Sequence, residues 1–262
     1  MVHVPAGEFA MGCHPEKDPL GDAYPDLMNV PRVCEDELHA GNPYRQVYLD
    51  GFWIDRTEVT KAEYRKCLEA GVCTPPIEWD IEYDDGTQTL VPTPDDRPAG
   101  GLTWTQATAF CGWVGKRLPS EAEWEKAARG TDGRKYPWGD APEPDCGLAI
   151  HIWDSPDGYV GCSETRLAAV GSLPANTSPY GAVDMAGNVE EWTLDSFGSY
   201  ADLPDTNPIR TGGDDRIRRG CSFQCPTIGA GGYILRTSYR FTGGADTTWE
   251  FLSQGVRCAR DE

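Results

Sequence analysis

Ten cysteines in a chain of 262 residues constrain this sequence more than any other feature. The number is even, no Cys-x-x-Cys occurs, and the four histidines (His3, His14, His39, His151) are scattered without zinc-type spacing. Disulfides are therefore the expected use, and with them an oxidising, extracytoplasmic setting: secreted, periplasmic or cell-surface. Spacing pairs Cys13 with Cys34, Cys67 with Cys73, and Cys146 with Cys162, each closing a local loop. The first would staple a long acidic, proline-rich segment and remove roughly 3 kcal/mol of chain entropy from the unfolded state. Thirty glycines and 21 prolines put much of the backbone into turns and loops. Regular secondary structure should fall below the usual share.

The formal net charge of −19 argues against nucleic acid and against anionic membrane surfaces, since both need a basic face. No apolar run approaches the ~18 residues of a membrane span. Met1 follows no recognisable leader, and the expectation is that one, or an upstream region, preceded it. No composition break marks a linker and no repeat occurs, so residues 1–262 read as one domain.

Three capping boxes stand out. Thr60 with Glu63, Thr103 with Gln106, and Ser120 with Glu123 each open a helix, and these run to Gly71, Gly115 and Gly130. In the second helix Trp104, Ala107, Phe110, Cys111 and Val114 form an apolar stripe. Glu121, Glu123 and Glu125 of the third read as a cap and a solvated face. Residues 2–11 read as a strand or short hairpin, and Asp50-Gly51 as a tight turn. Residues 217–223, 233–241 and 255–259 read as short strands.

Residues 181–192, GAVDMAGNVEEW, place Asp184, Asn188, Glu190 and Glu191 between glycine turns. Such a segment suits a hard cation such as Ca²⁺, which takes six to eight oxygens. The alternative is a polar turn entering a strand. Asn176-Thr177-Ser178 is a formal glycosylation sequon.

Residues 113–130, WVGKRLPSEAEWEKAARG, followed by Tyr136-Pro-Trp-Gly139, resemble the formylglycine-generating enzyme, or sulfatase-modifying factor, family. Residues 1–12, 52–67, 97–119, 178–192, 218–225 and 255–260 resemble its other landmarks in order. The resemblance implies an α+β fold: the formylglycine-generating-enzyme variant of the C-type-lectin-like fold, loop-rich and low in regular structure. It implies a Cys111–Cys258 bridge. It also implies Ca²⁺ held by the side chains of Asp184 and Glu191 and the carbonyls of Gly187 and Val189. A second family Ca²⁺ loop after Gly139 is rearranged here and is not carried over.

Enzymes of the family oxidise a peptide cysteine with Cu(I) held by two thiolates five residues apart, a soft pair that selects Cu(I). By resemblance Cys225 matches the first copper ligand and Ser222 the substrate-site serine, but the second ligand position holds Ala230. Cys221 replaces a glycine. Three readings stay open: an altered copper pair, a Cys221–Cys225 disulfide, or two free thiols. In a strand the two cysteines would lie roughly 13 Å apart, so only a turn could bring them together. The related sulfoxide-forming enzymes need an iron site that four scattered histidines do not supply. Trp192, Arg236, Arg240 and Trp249 are candidates for a binding groove. Two functions compete. One is a Ca²⁺-stabilised binding or accessory module for a protein, a peptide or a glycan, built on a fold also used as a display scaffold. The other is a divergent metal-dependent oxidase of a peptide cysteine.

Overall fold

The computed structural model describes residues 1–13, 43–77, 81–84, 89–155, 158–162, 167–225, 233–246 and 253–262. Cys34, Ala230 and Trp249 lie outside the described residues. In chain order the first elements are β1 (Val2–Val4), β2 (Gly7–Met11), β3 (Arg45–Leu49), β4 (Phe52–Ile54), α1 (Lys61–Glu69), β5 (Ile81–Asp84) and β6 (Thr89–Pro92). Then come α2 (Trp104–Trp113), α3 (Glu121–Arg129), β7 (Ile152–Ser155), β8 (Gly158–Gly161) and β9 (Glu190–Ser196). The chain closes with β10 (Asp215–Arg219), β11 (Phe241–Gly244), β12 (Gln254–Gly255) and β13 (Ala259–Asp261). This is a loop-rich α+β fold.

The three helices start where the capping boxes place them. Thr60, Thr103 and Ser120 each accept from the backbone N–H three residues on, and the Glu63, Gln106 and Glu123 side chains reach back to the cap. Glycines with positive φ follow at Gly71, Gly115 and Gly130. In α2 the stripe is narrower than its spacing predicts: Ala107, Phe110 and Cys111 are buried, while Val114 is the exposed C-cap.

Residues 2–11 and 46–56 do not form two separate hairpins. β1 pairs with β4 and β2 with β3, with Val4 opposite Phe52 and Gly7 opposite Leu49. The register is the same in both pairs. Pro5-Ala6 and Asp50-Gly51 therefore face each other as two bends in one ribbon, and Asp50-Gly51 does not reverse the chain. Proline cannot donate to the ladder, so the ribbon breaks there and passes from one sheet to the next. β13 adds to the far edge of β4, giving the order β1-β4-β13. The second sheet has the order β11-β10-β9-β12, with β12 parallel to β9. Residues 233–235, expected in a strand, form a 3-10 turn, and β10 ends at Arg219 rather than running to 223.

α3 departs most from expectation. All nine of its residues are buried, including Glu121, Glu123 and Glu125, so no face of it is solvated. Trp124, Ala127 and Ala128 pack with Phe9, Phe52, Met185 and Tyr200. The three carboxylates survive burial because each is paired, Glu123 with Arg117 at 2.7 Å. Arg219 donates to Glu121 Oε1 at 2.8 Å and to Glu125 Oε2 at 2.7 Å. Arg240 donates to both oxygens of Glu121, at 2.7 and 3.0 Å. Arg129 donates to Glu125 at 2.8 Å, and the Gly12 N–H does so at 2.7 Å. Buried charges are tolerated when paired and hydrogen-bonded in this way.

Asp195 of β9 caps the same helix, accepting from the Glu121 N–H at 2.7 Å and from the Arg210 N–H at 2.8 Å. Burial first, and the Glu121 charge second, push its carboxyl up to about 7. An unfolded aspartate titrates near 3.9. Between these values the folded protein holds a proton that the unfolded chain has released. The stabilisation from this group is therefore full below about pH 4 and lost as pH rises through about 7. Glu121 titrates lower: burial raises it, but Arg240 and Arg219 outweigh this and hold it below its usual range. Urea unfolding of wild type and Asp195→Asn at pH 5 and pH 7.5 should show the wild-type advantage shrinking at the higher pH. Between these two pH values the upper bound is about 2.5 kcal/mol, at about 1.4 kcal/mol per tenfold change in proton affinity. An unchanged difference between the two pH values would refute the assignment.

Candidate cation loop and closing-segment cysteines

Residues 181–189 lead into β9 through four left-handed positions: Gly181 (φ 88°), Asp184 (57°), Gly187 (85°) and Asn188 (66°). Asn and Asp tolerate this region better than other side-chain-bearing residues. Gly187 has a second reason to be glycine. A Cβ there would sit 2.5 Å from the Ile150 carbonyl oxygen, so the backbones of the two segments touch. The Asn188 N–H donates to Ile150 O at 2.9 Å and holds that contact.

The Asn188 side chain is a buried bracket. Its Oδ1 accepts from the Ala168 N–H at 3.0 Å, and its Nδ2 donates to Glu58 Oε1 at 3.0 Å. Asp184 accepts from the Gly171 N–H. Glu191 is engaged on both oxygens. Arg257 donates to Oε1 and to Oε2, each at 2.6 Å, and Trp124 Nε1–H donates to Oε2 at 2.6 Å. Arg257 also donates to the Val183 carbonyl at 2.9 Å.

Three carboxyl groups, Glu58, Asp184 and Glu191, thus share one buried guanidinium. Burial, then the neighbouring Asp184 charge, raises the Glu58 pKa well above its usual range. Asp184 is raised as well, chiefly by burial. Glu58 Oε2 is buried and accepts no hydrogen bond among the described residues. Hard oxygens, an excess of negative charge and one unsatisfied carboxyl oxygen fit a divalent hard cation. The fit differs in detail from the ligand set expected from sequence. Asp184 and Glu58 have spare acceptor capacity, whereas Glu191 spends three of its roughly four lone pairs on Arg257 and Trp124. Glu58 and Arg257 were missed because each lies far from the loop in sequence. Glu58 ends the polar run Asp55-Arg56-Thr57-Glu58 before α1, and no local signal sets it apart there.

The closing-segment cysteines sit in a turn. Gly220 (φ 89°) and Cys221 (φ 60°) turn the chain away from β10. Cys221 and Cys225 are joined as a disulfide with their Cα atoms 6.1 Å apart, about half the strand separation. The Ser222 N–H donates to Cys225 Sγ at 3.2 Å, and both Ser222 and Cys225 are buried. Cys67 is bonded to Cys73, Cys111 to Cys258 and Cys146 to Cys162. Cys13 is disulfide-bonded. No free cysteine occurs among the described residues.

Of the residues proposed for a groove, the three described, Trp192, Arg236 and Arg240, are interior. Trp192 is fully buried, with its Nε1–H donating to Leu102 O at 2.7 Å. Arg240 is bound to Glu121 in the α3 network, and Arg236 is buried beside Tyr136. These side chains stabilise the fold and line no open surface. Asn176 of the sequon is also buried, donating to Ala186 O at 2.7 Å, so the folded chain does not offer it for glycosylation.

No described helix is long and apolar enough to cross a membrane. The sequence model of the sulfatase-modifying factor enzyme 1-like domain matches residues 1–262. The formylglycine-generating enzyme of Streptomyces coelicolor is 30% identical over 299 residues, covering 99% of this chain and 88% of that protein. The inactive C-alpha-formylglycine-generating enzyme 2 of Bos taurus is 33% identical over 303 residues, covering 99% and 87%. The structure of PvdO from Pseudomonas aeruginosa superposes with a TM-score of 0.71 at 24% identity, covering 99% of this chain and 93% of that one. With its whole described length matched in sequence, and its fold shared with PvdO, the chain belongs to the sulfatase-modifying factor enzyme 1-like family.

Proposed function

We propose that this chain is an extracytoplasmic member of the family that does not perform the two-thiolate copper chemistry. It acts instead as a Ca²⁺-stabilised binding or accessory module for a protein or peptide, with a glycan as the other ligand class. The observation that carries this reading is the Cys221–Cys225 disulfide, which occupies the one family-type copper ligand left in the sequence. A disulfide sulfur is not a thiolate and does not select Cu(I). The disulfide content supports an oxidising location. The test is a thiol titration of the denatured, unreduced protein together with Cu(I) binding. No reactive thiol and no copper uptake are expected. Two thiols and tight one-to-one Cu(I) binding, lost in Cys225→Ala, would replace this reading with the oxidase.

That second reading rests on one feature. The turn at 221–225 brings both sulfurs to one point, so a reduced pair would be close enough to hold one soft ion beside Ser222. The oxidase reading therefore requires the bond to be open in the working protein.

Ca²⁺ at Asp184 and Glu58, with the Gly187 and Val189 carbonyls, would balance the carboxyl excess and tie the loop to the segment between β4 and α1. A cation at about 100 times its Kd adds about 2.7 kcal/mol. For a domain of this size that is a rise in Tm of roughly 5–10 °C. Differential scanning fluorimetry in Ca²⁺ against EDTA should show this rise in wild type and its loss in Asp184→Asn. No response in wild type would remove the cation from this site.

A further inference from the structure

Cys146 and Cys162 are 16 residues apart in sequence with His151 between them, and the fold brings all three to one point. The β7–β8 hairpin begins one residue after His151 and ends one residue before Cys162, with Ile152 opposite Gly161. The next pair outward is His151 and Cys162, and the Cys162 N–H donates to His151 O at 3.0 Å. A single turn, in which the Leu148 and Ala149 N–H groups donate to Asp145 O at 2.9 and 3.0 Å, folds Cys146 back onto the same point. The ligand atoms of Cys146, His151 and Cys162 all lie within 4.8 Å of one another. In a tetrahedral zinc site with Zn–S near 2.3 Å and Zn–N near 2.0 Å, neighbouring ligand atoms are about 3.5–4 Å apart. The cluster is therefore close to ligating geometry already.

The bond that now joins the two sulfurs is also the most accessible of the described disulfides. Cys146 is exposed and Cys162 half-buried. Cys67, Cys73, Cys111, Cys258, Cys221 and Cys225 are all buried. Thiol–disulfide exchange requires a thiolate to reach a sulfur, so a small dithiol meets this bond first.

We propose that Cys146, Cys162 and His151 form a redox-gated site for a soft divalent metal, Zn²⁺ in the first instance. Bonded to each other, the sulfurs exclude the ion. A dithiol reductant transfers two electrons and two protons to the disulfide, becoming a disulfide itself and leaving two cysteine thiols. Zn²⁺ then displaces the two thiol protons and takes the two thiolates and the neutral imidazole. Three protein ligands leave a fourth position for water or an exogenous group, the arrangement of an open rather than a closed zinc site. His151 adjoins Ile150, whose backbone pairs with Gly187 and accepts from the Asn188 N–H of the cation loop, so metal at this site would brace that loop through Ile150.

The experiment uses the full chain under anaerobic conditions. Limited dithiothreitol followed by alkylation and peptide mass spectrometry should label Cys146 and Cys162 before the other cysteines. After removal of the reductant, Co²⁺ as the zinc probe should give a thiolate-to-metal charge-transfer band and four-coordinate visible bands. The unreduced protein should give neither. Co²⁺ affinity should fall at least tenfold in His151→Ala and be lost in Cys146→Ser/Cys162→Ser. A Cys67→Ser/Cys73→Ser control should keep it. If His151→Ala does not fold, X-ray absorption on the wild-type Zn²⁺ form decides, with two sulfurs and one imidazole expected. No band after reduction, a band that survives loss of Cys146 and Cys162, or a ligand shell without imidazole would each overturn the proposal.

Discussion

Replacing Arg219 with alanine is expected to lower the unfolding free energy by about 3–5 kcal/mol, the usual cost of breaking a buried ion pair by removing one partner. Its guanidinium is wholly buried and touches Glu121, Glu125 and the Thr237 carbonyl. Arg240 and Arg129 would still face the two carboxylates, which places the loss toward the lower end of that range. The deletion also leaves a cavity against Trp124, over whose ring the guanidinium lies 5.3 Å from the centroid. In thermal unfolding the shift should be roughly 6–20 °C, at about 2–4 °C per kcal/mol for domains near this size. Arg219→Met, which fills the volume but leaves the carboxylates one donor short, should lose nearly as much. If Arg219→Met matched wild type, the network would contribute packing alone.

Loss of the Cys111–Cys258 bridge is the second large effect. The two residues are 147 apart in sequence, the widest span among the described disulfides, and both are fully buried. The bridge fastens α2 to the segment just before β13, so it joins the middle of the chain to its last strand. In the chain-entropy model a loop of this length stabilises by about 5 kcal/mol, and native disulfides removed by mutation commonly cost 2–5 kcal/mol. Cys111→Ser/Cys258→Ser should therefore show a midpoint in urea well below wild type. The shorter Cys67–Cys73 bridge, separated by six residues, should matter less. Equal effects from the two double variants would show that loop closure is not what the long bridge supplies.

Much of the local structure was legible because local chemistry specifies it. Each capping box satisfies orphan N–H groups within four residues, so the three helix starts could be read directly. The loop-rich fold followed from the glycines, prolines and cysteines. What was not legible was set by distant partners. Glu121 and Glu125 read as solvated until Arg219, 98 and 94 residues away, is placed against them. Glu58 reads as an ordinary acid until Asn188, 130 residues on, reaches it. Trp192 has the amphipathic character of a groove residue, but the Leu102 carbonyl takes its N–H inside the core. Which of the three readings holds for Cys221 and Cys225 could not be read from spacing, because it depends on the turn made by the left-handed conformation of Cys221. Likewise His151 joins two cysteines only through the register of a hairpin that begins beside it.

The sheet β1-β4-β13 has a mechanical consequence. Both outer strands run antiparallel to β4, so they are parallel to each other, with Val2 and Ala259 both opposite Ile54. Tension applied at the two ends pulls β1 and β13 in opposite directions along their own axes. The load falls on their hydrogen bonds to β4 in shear, and these must rupture together rather than unzip one by one. A domain tethered at both ends through these strands would resist stretching at its termini, where most chains yield first.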